Sequence, residues 1–180
     1  MSNAHPTEFT PQALNKAMLE AVDFVHAEGW DAAPTLFALV PTRLLIDQLD
    51  DPDEDAPLTL VVQDNLPDNL EPGSEALADY VSRIAWPQQI AGCVLAQEIR
   101  FRDTADGKHA APRPARLFSG VLRPEGVDLT LLQLRPTEEE LAEAGPFAED
   151  EVQLRGGPEV APGVIAALRY GLEQDPDELF

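Results

Sequence analysis

Residues 92–101, Gly92-Cys93-Val94-Leu95-Ala96-Gln97-Glu98-Ile99-Arg100-Phe101, decide how this chain folds. Side chains of a strand alternate between faces. Cys93, Leu95, Gln97, Ile99 and Phe101 therefore share one face, and Val94, Ala96, Glu98 and Arg100 the other. Arg116–Arg123 and Val127–Arg135 read as two further strands joined by the tight turn sequence Pro124-Glu125-Gly126, a hairpin signal. The polar stretch between Asp103 and Pro114 is a connection without a helix. Strands joined this closely pair antiparallel, because a parallel pair needs a longer crossover.

Outward from this sheet, helices are expected at the beginning, middle and end of the chain. Thr10 is placed to cap a first helix and Pro11 to occupy its first turn. Leu14, Ala17, Met18, Ala21, Val22 and Val25 then follow the i, i+3, i+4 spacing of an amphipathic helix. Gly29 is expected to end it in a left-handed cap, with Trp30 folding back onto the last turn. Leu36–Val40 and Leu58–Val62 read as strands separated by a short helix, Arg43–Leu49, and an acidic loop, residues 50–55. Ser74 caps a middle helix that places Leu77, Tyr80, Val81 and Ile84 on one face and stops before Trp86-Pro87. Thr137 with Glu140 forms a capping box for a short acidic helix. Val152–Arg155 is a candidate edge strand, and Pro162 opens a last helix carrying Val164, Ile165, Leu168 and Leu172. The expectation is one α+β domain over residues 1–180, with a mainly antiparallel sheet of five to six strands and fraying at 1–9 and 175–180.

Charge limits the partners. The chain has 33 Asp and Glu against 12 Lys and Arg, a formal net charge of −21. Such a field repels a phosphate backbone and an anionic bilayer, so neither nucleic acid nor membrane is an expected partner. The charge is uneven: residues 1–90 carry 3 basic and 16 acidic groups and residues 137–180 carry 2 and 12, whereas residues 91–136 carry 7 and 5. The arginines thus concentrate in the strand-rich middle. Cys93 is the single cysteine, which excludes an intrachain disulfide and suits a reducing, cytoplasmic setting. The first residues show neither the basic nor the apolar region of a signal peptide.

Familiar chemical constellations are not assembled. Asp51, Asp53 and Asp55 match the first three ligand positions of an EF-hand loop, but Ala56 replaces its glycine and Val62 its bidentate glutamate, so no calcium site is expected. His5, His26 and His109 are too dispersed for a zinc set. Cys93 on an apolar strand reads as a small buried hydrophobe rather than a nucleophile. No phosphate-binding glycine motif or serine elbow is present, and Arg155-Gly156-Gly157-Pro158 reads as a loop before the last helix. No catalytic residue, cofactor or metal is expected.

Gly29-Trp30-Asp31, Leu36-Phe37-Ala38-Leu39-Val40, Ile84-Ala85-Trp86-Pro87, Ala91-Gly92-Cys93, Val121-Leu122-Arg123 and Val160-Ala161-Pro162-Gly163 together resemble a family of uncharacterised, acidic actinobacterial proteins of similar length. That resemblance implies cytoplasmic residence and carries no activity or site with it. The order of elements is also similar to secretion-chaperone-like folds that work as dimers, a likeness of architecture only. The expected function is a non-enzymatic, protein-binding or chaperone-like module whose partner is another protein or a second copy. Its surface is expected around Trp86, Glu98, Arg100, Arg116, Phe118 and Arg123. The alternative is a small-molecule binder or enzyme that uses carboxylates and arginines on the sheet.

Overall fold

The computed structural model describes residues 9–42, 57–63, 66, 70–71, 74–87, 89–101, 113–124, 126–135, 139, 142–143, 154–156 and 162–173. The elements in chain order are α1 (Pro11–Glu28), β1 (Thr35–Pro41), β2 (Leu58–Gln63), α2 (Glu75–Ser82), β3 (Gly92–Phe101), β4 (Arg113–Leu122), β5 (Asp128–Leu134), β6 (Leu154–Gly156) and α3 (Pro162–Glu173). The fold is α+β. Six strands form one sheet in the order β2-β1-β3-β4-β5-β6, and every neighbouring pair is antiparallel. Since β2 and β3 flank β1 on opposite sides, the connection through α2 carries the chain across β1.

Three layers result, because both faces of the sheet are apolar and each needs a cover. On one face, α1 buries Leu14, Ala17, Met18, Ala21, Val22 and Val25 against Phe37, Leu39, Val94, Ala96, Phe118 and Leu122. Thr10 caps this helix through its side chain, accepting from the Ala13 N–H at 3.1 Å. Phe9, just outside the cap, packs on the same cluster. A Cβ on Gly120 would lie 2.5 Å from the Met18 sulfur, so the lack of a side chain there lets α1 sit close to β4. On the other face, Leu77 and Val81 of α2 and Leu168 and Leu172 of α3 cover Leu36, Ala38, Cys93, Leu95 and Val121. Ser74 caps α2 as expected, 3.1 Å from the Leu77 N–H. The alternation anticipated for β3 is observed at Cys93 and Leu95 on one face and Val94 and Ala96 on the other.

Several expectations change in detail. Gly29 has φ 91, but its ψ of 176 continues the chain extended rather than left-handed helical, a conformation open essentially to glycine alone. The candidate edge strand Val152–Arg155 is observed at Leu154–Gly156, pairing with Leu131–Gln133, so that the strand runs on into Gly156, which was read as loop. Ile84 lies beyond the end of α2, whose C-cap is Arg83. The Arg43–Leu49 helix and the acidic loop at 50–55 lie outside the described residues, as does most of the capping-box helix after Thr137. Among the described residues no helix is long and apolar enough to cross a membrane.

Candidate functional site

Beyond Val25 the apolar stripe of α1 ends, and the sheet beneath changes character. Register places Glu98 of β3 opposite Arg116 of β4, and Arg116 opposite Gln133 of β5. All three belong to the face that α1 covers, since Arg116 is two residues from Phe118 on β4 and Glu98 two from Ala96 on β3. The chain leaves α1 at Gly29 and lays Trp30 over this polar row. The Arg116 guanidinium carbon is 4.0 Å from the centroid of the Trp30 ring, and that of Arg135 is 5.3 Å from it.

Arg116 is 1 % exposed, which is unusual for an arginine. Its Nη1 donates to Gln133 Oε1 at 3.1 Å and lies 3.4 Å from His26 Nδ1. A guanidinium offers donors only. His26 Nδ1 is therefore the accepting atom in that contact. The Nε and Nη2 atoms of Arg116 are buried and have no hydrogen-bond partner among the described residues. Burial pushes the Arg116 pKa down; the nearby Glu98 carboxylate opposes that shift, and Arg135 adds to it.

The segment after α1 is tied to β3, to β4 and to the residue that follows β5. Glu98 Oε2 accepts the Ala32 N–H at 2.7 Å. Asp31, held at a positive φ of 67, pairs with Arg135 at 3.2 Å. Trp30 stacks on Arg116 between these two anchors. Its ring thus faces two cations, Arg116 of β4 and Arg135 just past β5.

The six residues expected to form a surface are divided by the structure. Glu98 and Arg116 come together in the polar row. Arg100 is exposed further along the same face of β3. Phe118 is fully buried beneath α1, and Trp86 is 5 % exposed within the cluster on the opposite face, so neither presents an aromatic surface. Arg123 is turned onto the protein's own backbone. Its Nε donates to the Ile90 carbonyl at 2.6 Å, its Nη1 to Leu172 at 2.7 Å, and its Nη2 to Pro87 at 2.8 Å and Trp86 at 3.3 Å. Leu172 lies in the last turn of α3, where a cation also complements the negative end of the helix dipole.

Cys93 is fully buried, and burial pushes its thiol up to about 12 despite the opposing charges of Arg123 and Arg169. That environment disfavours the thiolate a nucleophile requires. Among the described residues, no group of three or more His, Cys, Asp and Glu side chains is placed to hold a metal ion.

Trp30, His26 and Gln133 were not among the expected site residues. Trp30 carried a partial signal, as an aromatic residue directly after a helix-ending glycine. His26 and Gln133 carried none, because their role depends on the β4–β5 register and on where α1 ends over the sheet.

No curated protein and no solved structure matches the chain. A family model does: that of the PPA1309-like protein covers residues 14–173, from the first turn of α1 to the last residue of α3 and through every residue of the polar row. The chain belongs to the PPA1309-like protein family.

Proposed function

We propose that the protein binds a small molecule through a carboxylate group, received by the Nε–Nη2 edge of Arg116 beneath Trp30. One observation carries this reading: a buried guanidinium whose Nη1 is engaged and whose Nε and Nη2 have no partner among the described residues. Those two atoms form the side-on fork of arginine, whose parallel donors match the two oxygens of a carboxylate. Leaving a buried donor unmade costs roughly 1–3 kcal/mol. A ligand carboxylate would offset that cost, and the indole of Trp30 would supply a flat apolar wall for the rest of the molecule. The protein-contact reading needs Arg116 and Arg123 to reach a partner; the burial of the first and the four backbone bonds of the second weigh against it at these residues. We further propose a cytoplasmic location, on the support of the lone buried thiol.

Fluorescence of Trp30, in a Trp86→Phe background, tests the site. Titration with acetate, lactate, succinate and benzoate at constant ionic strength should give a saturable change for at least one carboxylate. Arg116→Lys keeps the charge but lacks the fork, and should weaken that response by about tenfold or more. Glu98→Gln removes the neighbouring carboxylate and should tighten it. No saturable response, or one equal in Arg116→Lys, rejects the reading.

A further inference from the structure

At the far edge of the sheet, independently of the Arg116 site, β2 has the makings of a docking edge. It is the terminal strand beside β1, and among the described residues no strand pairs with its outer side. Its sequence, Leu58-Thr59-Leu60-Val61-Val62-Gln63, contains no charge and no proline. The pairing with β1 runs one to one from Leu36↔Gln63 to Pro41↔Leu58, without a bulge. Natural edge strands are ordinarily blunted by one of these devices, because an open row of N–H and C=O groups templates another strand. Val61 and Val62 alternate to opposite faces and are 38 % and 36 % exposed. Val62 pairs with Phe37, against which the 40 %-exposed Phe24 of α1 packs edge to face, with ring centroids 5.5 Å apart. An apolar contact surface therefore borders the open edge on the α1 side.

The charge of the adjoining sequence selects the occupant. Asp50, Asp51, Asp53, Glu54 and Asp55 precede β2, and Asp64 and Asp68 follow it. A second copy pairing antiparallel would bring the acidic flank before its strand alongside the acidic flank after this one. Like charges so placed repel, and the net charge of −21 adds to the penalty. A cationic strand meets attraction at both ends.

We propose that β2 accepts an extended, basic polypeptide segment as a seventh strand, with backbone hydrogen bonds supplying register and Val61, Val62 and Phe24 supplying apolar contact.

The test uses a fluorescein-labelled heptapeptide alternating lysine and valine, followed by fluorescence anisotropy against the full chain. Saturable binding is expected that weakens by roughly tenfold or more between low and high salt, as screening predicts. The same peptide with every backbone amide N-methylated should lose binding, since neither of its edges can then donate to the ladder. The Val61→Lys/Val62→Lys double variant should also lose it. Amide chemical shifts of residues 58–63 in the wild-type protein should move on titration, a readout that does not depend on the variant folding. Equal binding of the N-methylated peptide would mean charge-only adsorption and would overturn the proposal. So would absence of binding, unmoved β2 amides, or a wild-type dimer in sedimentation that the double variant abolishes, which would assign the edge to a second copy.

Discussion

The guanidinium carbon of Arg116 lies 4.0 Å from the ring centroid of Trp30, joining the turn after α1 to the middle of the sheet. A cation over an indole is worth about 2 kcal/mol when desolvated, as against less than half that at an exposed site. The contact thus helps stabilise the polar row in which it occurs, while leaving the Nε–Nη2 edge of the arginine without a partner among the described residues.

A double-mutant cycle measures this relationship. Trp30→Leu and Arg116→Met should each destabilise the fold, and together by less than their sum, with a coupling of about 1–2 kcal/mol. Urea unfolding of the four proteins gives the number. Strict additivity would show that the two side chains contribute independently.

Arg123 should matter far more to stability than its position next to a turn suggests. Arg123→Lys retains the charge but cannot reach the carbonyls of Ile90, Leu172 and Pro87 at once. A loss of about 2–3 kcal/mol in urea unfolding is expected, as for charge-assisted bonds at partly buried groups. Arg83 provides the control, since its pairing with Asp79 at 3.2 Å is exposed on both sides. Arg83→Ala should change stability by less than about 0.5 kcal/mol.

Cys93 should react slowly with thiol reagents in the native protein and rapidly in denaturant, because the group is fully buried. Its thiol also predicts a pH dependence. The folded pKa is about 12 against an ordinary value of 9.0. Below 9.0 both states hold the proton and the group contributes no slope. Above it the unfolded chain releases the proton while the native one keeps it, so stability falls toward pH 12 by about 1.4 kcal/mol per unit. Cys93→Ala should cost about 1 kcal/mol near neutrality and remove this part of the alkaline slope. Parallel stability curves for the two proteins between pH 9 and 10 would contradict the buried-thiol account.

Local patterns carried most of the secondary structure. The stripe from Leu14 to Val25 announced α1 and its buried face, and Thr10 and Ser74 announced their caps, because a cap involves only neighbours three residues away. Alternation in β3 announced its two faces. The course of the chain at Gly29 was half legible: glycine marked a positive φ, but nothing in its neighbours said whether ψ would turn the chain back or extend it.

The sequence by itself determined the class of fold, the antiparallel hairpin around Pro124 and the burial of Cys93, since each follows from periodicity or from the geometry of a few adjacent residues. Tertiary structure alone decided what the arginines do. The observed register pairs Arg116 with Gln133, and a one-residue slip would have placed a residue of the opposite face there instead. Turn residues alone do not determine that register; the packing of Leu129 and Leu131 against the α1 cluster helps to hold it. Arg116 and Arg123 look alike as strand-borne arginines in a sequence. One enters a buried row under Trp30 and the other caps the end of α3, because a long side chain takes its role from the donors and acceptors that folding brings within reach of its tip.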